Sequence, residues 1–205
     1  MNRKLAYSLV SHALSTASER PKLCVPHIDE GKRRMVGADG FRLVSLAIDE
    51  KVPFPDYDHI IPSSHLIAVS VAIDDLVRVA RIASSNSGVV RIELADKDGV
   101  NYLSFRQQRF NTTSVIQCSI LSDNRQDKEH PEWIHAALNT TYLAQCANAI
   151  QKYVGKPPRP TKKRPNPEPT TMPQNCTIQF NKSTDPVVFI VEDYTEVISP
   201  MLVEW

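Results

Sequence analysis

The order of its predicted elements constrains this chain more than any one motif. Strand, helix and three strands read twice in succession, and a third copy lacking only its first strand precedes them. In residues 1 to about 50, Leu5, Leu9, Ala13 and Ala17, flanked by Ala6, Val10 and Leu14, have helical spacing and predict a helix that stops before Pro21. Short apolar runs follow at Leu23–Ile28, Met35–Ala38 and Phe41–Ile48, parted by the turn sequences Asp29-Glu30-Gly31-Lys32 and Asp39-Gly40. In the second copy a strand at Leu66–Val71 runs into Asp74-Asp75, whose carboxylates suit the positive end of a helix burying Leu76, Val77, Ala80 and Ala83. Strands at Val89–Ala95 and Val100–Arg106 are joined by Asp96-Lys97-Asp98-Gly99, and Phe110–Ile120 supplies the third. In the last copy Trp133–Leu138 is a strand, and Asn139 caps a helix with Tyr142, Leu143, Cys146, Ala147 and Ile150 on one face. Asn175–Phe180, Val187–Glu192 and Tyr194–Ser199 complete it. The fold class is α+β, with helices packed on one face of antiparallel sheets.

One stretch breaks the pattern. Gly155–Pro173 holds seven of the fifteen prolines, with Lys156, Arg159, Lys162, Lys163 and Arg164 against the single acid Glu168. Such a composition buries too little apolar surface to order itself and predicts a polyproline-like basic loop. The formal net charge of +1 is therefore a mildly acidic body offset by this one basic segment, which permits a phosphate-bearing partner.

Several chemistries are excluded by what the chain lacks. Its six glycines form no phosphate-cradling motif, since the only close pair is Gly37 and Gly40. The histidines at 12, 27, 59, 65, 130 and 135 have no metal-ligand spacing, and no cofactor is expected. Asp56-Tyr57-Asp58 and Asp96-Lys97-Asp98 lie among turn residues, where Asp serves local hydrogen bonds. No Ser or Cys sits in a nucleophile motif, so the chain does not read as an enzyme. Cys24, Cys118, Cys146 and Cys176 stand far apart in apolar stretches and read as small buried hydrophobes. No run approaches eighteen apolar residues and the first fourteen are not a leader, so the expected location is cytoplasmic, with no membrane partner.

Four segments are informative together. GADGFRLVSLAI (37–48) resembles the Thr-Asp-Gly-His-Arg-Leu strand of the bacterial DNA polymerase III beta subunit, the sliding clamp. FPDYDHIIP (54–62) resembles that family's inter-domain connector, WIHAALNTTYLAQCANAI (133–150) its last-domain strand and helix, and PVVFIVEDYTEVISPMLVEW (186–205) its closing strands and tail. The resemblance implies the DNA clamp fold, with residues 1–50 as half of a middle-type domain, 51–62 as the connector and 63–205 as the C-terminal-type domain carrying the insertion at 155–173. A family member has three domains of two repeats each, and two subunits close a ring. Here the first domain and the repeat between Ile48 and Phe54 are missing, so three repeats do not form an ordinary half-ring.

What the resemblance implies for function is a non-enzymatic replication processivity factor that tethers polymerase and repair proteins to DNA, and a homo-oligomer. The alternative is a clamp-derived regulatory module that binds peptides without encircling DNA. The family's groove for linear peptides of polymerase, clamp loader and repair proteins carries over to Gly40, Phe41, Arg42 and Leu43; to Pro55, His59 and Ile60; and to Val197, Ile198, Ser199, Pro200, Met201 and Leu202. Phe41 stands where the family has His, and Ser199 where its tail has Met. Non-specific contact with double-stranded DNA, through phosphates, would use Arg3, Lys4, Arg78, Arg81 and Lys152 on the helices and Lys156, Arg159, Lys162, Lys163 and Arg164 in the loop.

Overall fold

The structure, a computed structural model, describes residues 3–29, 33–48, 67–85, 88–107, 111–123, 135–155, 173–181 and 184–201. Its elements are α1 (Arg3–Val10), β1 (His27–Asp29), β2 (Arg34–Ala38), β3 (Arg42–Ala47), β4 (Ile67–Ala72), α2 (Ile73–Ser84), β5 (Val89–Lys97), β6 (Val100–Gln107), β7 (Thr112–Asp123), β8 (His135–Asn139), α3 (Thr140–Val154), β9 (Asn175–Phe180), β10 (Val187–Val191) and β11 (Tyr194–Ile198). Helix and three strands thus occur three times, twice after a leading strand, in an α+β fold.

Antiparallel ladders join the strands in the order β1-β2-β3-β11-β10-β9-β4-β7-β6-β5-β8. Repeats two and three interlock by exchanging their leading strands. Ala72, the last residue of β4, lies opposite Asn175, the first of β9; Asn139, the last of β8, lies opposite Val89, the first of β5. Both leading strands end on the N-cap of their helix. The equivalence extends beyond β11. Ser70, two residues before its N-cap, faces Ser119 of β7, and Ala137, two residues before Asn139, accepts a 2.7 Å hydrogen bond from the Met201 N–H.

Repeat one joins repeat three through β3 and β11, with Val44 opposite Glu196. Each of these two residues is third after a two-residue hairpin turn, Gly40-Phe41 in one case and Glu192-Asp193 in the other. The junction therefore pairs two equivalent strands about equivalent positions, as a local two-fold axis does.

The core lies between helices and sheet. From α2, Ile73, Leu76, Val77, Ala80 and Ala83 are buried, and from α3, Leu143, Cys146, Ala147 and Ile150. Each large apolar side chain among them contributes roughly 1.5–3 kcal/mol. Close approach fixes repeat one: a Cβ on Gly37 of β2 would stand 2.5 Å from Val10 Cγ1 and 3.0 Å from the Val10 carbonyl oxygen, so only glycine lets α1 sit this near the sheet.

Local chemistry adjusts several expectations. α1 ends at Val10 and gives way to a 3-10 turn at Ser11–Ala13; the buried stripe is Ala6, Leu9, Val10 and Ala13, while Leu5 is exposed and Ala17 lies beyond the helix. The run predicted as a strand at Leu23–Ile28 is mostly not one. Pro21 opens a 3-10 turn over Pro21–Leu23, and Pro26, which has no N–H for a ladder, holds β1 to His27–Asp29. Asp74 and Asp75 occupy the first turn of α2 without capping it: the N-cap is Ala72, and the Ile73 N–H donates to the Gln174 carbonyl. Asn139 caps α3 as expected, its Oδ1 accepting from the Thr141 N–H at 2.8 Å. Asp98 and Gly99, with φ of 56° and 77°, form the predicted turn between β5 and β6. Glu192, expected at the end of β10, takes φ 50° in the turn after it. Trp133, Ile134, Phe110, the turn residues Glu30–Lys32, Leu66 and Asp56–Asp58 lie outside the described residues.

Candidate functional site

The β3–β11 junction brings together two of the three predicted groove walls. Leu43 faces Val197, Arg42 faces Ile198, and the Ser199 N–H donates to the Phe41 carbonyl at 2.8 Å. Phe41, just before β3, is 55% exposed, and Met201, beyond the end of β11, is 39% exposed. On the outer face of the sheet Val188 and Val197 are buried, with Leu43 and Ile190 packed against them. Gly40, at φ +97°, turns the chain into β3. Pro55, His59, Ile60 and Leu202 lie outside the described residues.

The site's residues are not equivalent. Ile198 is fully buried in the core, and Arg42 is only 8% exposed. The Arg42 Nε donates to Asp39 Oδ2 at 3.0 Å, its other nitrogens reach Gln145 Oε1 and the His12 carbonyl, and its guanidinium carbon stands 4.4 Å from the Tyr142 ring centre. Asp39 in turn accepts from the Phe41 and Arg42 N–H groups at 2.9 and 3.0 Å. Arg42 therefore ties the β2–β3 turn, the 3-10 turn after α1 and α3 to one another, and the turn that presents Phe41 is rigidly held. Burial, reinforced by the Asp39 carboxylate and opposed by the Arg42 guanidinium, pushes the Tyr142 phenol up.

Beneath the junction lies a buried polar cluster that the sequence pattern does not reveal. Glu196 is fully buried; His12 Nε2 stands 3.2 Å from both its carboxylate oxygens, and the Tyr194 hydroxyl donates to Oε2 at 2.5 Å. Burial, with the Glu196 charge next in size, holds the Cys146 thiol and the Tyr194 phenol well above their ordinary values. The signal available in the sequence is an acid within an otherwise apolar strand, as Arg42 is a cation within one.

The predicted DNA contacts divide likewise. Lys4, Arg78, Arg81 and Lys152 are exposed on α1, α2 and α3, while nothing is described of the Arg3 side chain. α2 and α3 lie side by side. Arg78 pairs with Asp75 at 2.8 Å and Arg81 bonds Gln151 Oε1 at 3.1 Å. Lys156, Arg159, Lys162, Lys163 and Arg164 lie outside the described residues. All four cysteines are free thiols; Cys118, Cys146 and Cys176 are buried as expected, and Cys24 is half-buried. Among the described residues no three His, Cys, Asp or Glu side chains gather to hold a metal ion, and no helix is long and apolar enough to cross a membrane.

Repeats that exchange leading strands and continue one sheet across their junctions define a clamp-type architecture. Solved structures place it further: the chain has the fold of DNA polymerase III beta subunits. It matches the beta subunit from Thermotoga maritima with a TM-score of 0.64 at 14% identity, over 98% of this chain and 64% of that one. The beta chain from Streptococcus pneumoniae matches with 0.61 at 15% identity, over 98% and 63%. The Helicobacter pylori beta clamp, solved bound to a DNA ligase peptide, matches with 0.60 at 11% identity, over 97% and 63%. This chain thus spans less than two thirds of the length of each, at low identity. No protein-family model and no curated protein sequence matches it.

Proposed function

We propose that the chain is a non-enzymatic, clamp-derived module that binds linear peptides of DNA-processing proteins at the β3–β11 junction. The observation that carries this is that Phe41 and Met201 both stand exposed beside a strand junction in which the Ser199 N–H, two residues before Met201, donates to the Phe41 carbonyl. Aromatic and Met side chains on a fixed backbone give large apolar contact at low entropic cost, and Met adapts to different occupants. Leu43, Ser199 and Pro200, each half-buried, extend the contact surface, with Pro55, His59, Ile60 and Leu202 assigned to it from the resemblance. Arg42 and Ile198 act from behind, as supports. The binding of a DNA ligase peptide by the H. pylori beta clamp supplies the probe: replacing Met201 and Leu202 together by Ala abolishes binding of that peptide, and unchanged affinity overturns the assignment.

A second reading, non-specific contact with duplex DNA in a clamp-like tethering role, is favoured by Arg78, Arg81 and Lys152 standing exposed on neighbouring helices. Phosphate contact by such cations is sequence-independent and salt-sensitive.

A further inference from the structure

Repeat one leaves open the surfaces that repeats two and three cover in each other. The buried residues Ala6, Leu9, Val10 and Ala13 have the spacing of Leu76, Val79, Ala80 and Ala83 in α2, so Tyr7 corresponds to Val77. Val77 stands one turn before Arg81, on the flank through which α2 meets α3 and Arg81 bonds Gln151. The strands match likewise. His27 of β1 lies opposite Val36 and Gln179 of β9 opposite Val188, and each valine is three residues before the pair that closes its hairpin turn. Ile28 therefore corresponds to Phe180, and Pro26 to Ile178. In repeat three the β4–α2 unit covers both surfaces, with Ile67 opposite Phe180. In repeat one nothing equivalent does: β1 ends the sheet, and among the described residues no strand lies on its outer edge. Burial registers the difference. Tyr7 is 50% exposed against 3% for Val77, and Ile28 is 41% exposed where Phe180 is fully buried.

We propose that the α1 flank and the β1 edge together form a docking slot for a different protein, which inserts an apolar strand running without a loop into an amphipathic helix. The chain itself supplies the argument, because it fills this kind of slot twice with that kind of unit. β4 runs straight into α2 and covers β9 and α3; β8 runs straight into α3 and covers β5 and α2. A partner unit in repeat one continues an interface already built within the molecule. Other occupants fit less well. In a second copy both such units are already engaged with each other, and the run between β3 and β4 is interrupted by Pro53, Pro55 and Pro62. Backbone geometry suits the slot. The Asp39 N–H donates to the Arg42 carbonyl and the Ile48 N–H to the Arg33 carbonyl, so by strand alternation the N–H and carbonyl of Ile28 point to the open edge. Pro26 offers that edge a carbonyl alone. The ladder is therefore short, and a helix packed on Tyr7 completes the contact.

The probe is a labelled synthetic peptide with the sequence of residues 67–85, the β4–α2 unit, titrated into the full chain and followed by fluorescence anisotropy. Saturable binding of one peptide per chain is expected, weakened at least about tenfold by Tyr7→Lys and by Ile28→Lys, since a cation in an apolar contact opposes docking. Both positions are exposed, and circular dichroism checks that the variants fold. The same peptide carrying Val77→Lys, which leaves the chain untouched, does not bind. Absence of binding at about 100 µM overturns the proposal, as does binding indifferent to Tyr7→Lys and Ile28→Lys, which marks displacement of the resident unit. A dimer of the chain lost with Tyr7→Lys would give the slot to a second copy. Slow hydrogen exchange of the Ile28 amide without the probe would give it to another segment of the chain, and either result overturns the proposal too. Peptide binding at the β3–β11 junction is measured apart from this and can fail without it.

Discussion

Val44 of β3 lies directly opposite Glu196 of β11, and the pairing sets a carboxylate into the core of the junction between the first and third repeats. Glu196 is held there by His12 from the 3-10 turn after α1 and Tyr194 from its own strand. The carboxylate thus fastens repeat one to repeat three, and on the same helix-covered face Arg42 fastens the β2–β3 turn to α3 and to the turn after α1.

Truncating His12 leaves the buried Glu196 side chain without its imidazole partner. His12→Ala is expected to lower the free energy of unfolding by about 2 kcal/mol or more, and His12→Gln, which still donates a hydrogen bond, by less than half of that. Urea unfolding of the two variants measures both losses. Equal small losses would show that Glu196 does not depend on His12.

The buried thiols make the fold sensitive to alkali. Burial raises the Cys118 thiol from its ordinary 9.0 to about 11 and the Cys176 thiol to about 12. The unfolded chain gives up these protons near pH 9, so between pH 9 and about 12 the folded state binds more protons than the unfolded one. Their contribution is complete below pH 9 and falls as pH rises through that window. Thermal unfolding from pH 8 to 11 should show a falling midpoint, and replacing Cys118 by Ala should flatten part of the fall.

Much of this architecture was legible in the sequence because helices and strands with one buried face announce their periods. β9 matches its expected bounds, α3 starts after its Asn139 cap, and the order of elements is recovered throughout. Backbone chemistry overrode pattern where proline was involved, as between Pro21 and His27, where apolar residues form a turn rather than a strand. The walls of the candidate groove were legible only by resemblance, since Leu43 and Val197 lie far apart in sequence and meet through the β3–β11 ladder. The buried His12–Glu196–Tyr194 cluster was not legible: a charged residue within a strand looks the same in sequence whether it faces solvent or a partner distant along the chain.

Cations on α2 and α3 give any DNA binding a measurable signature. Replacing Arg78, Arg81 and Lys152 by Ala should make the dependence of log affinity on log salt shallower by roughly two to three. Fluorescence anisotropy with duplexes of unrelated sequence checks this. A slope that stays the same would remove these helices from the contact, and a strong sequence preference would contradict phosphate-only recognition.

The peptide groove is tested most directly by calorimetric titration of the DNA ligase peptide into the wild-type chain and the Phe41→Ala variant. Saturable binding to the wild type is predicted, weakened at least about tenfold by Phe41→Ala, as truncation of an aromatic anchor weakens binding. Absence of binding at about millimolar peptide, or an affinity that Phe41→Ala leaves unmoved, would contradict it.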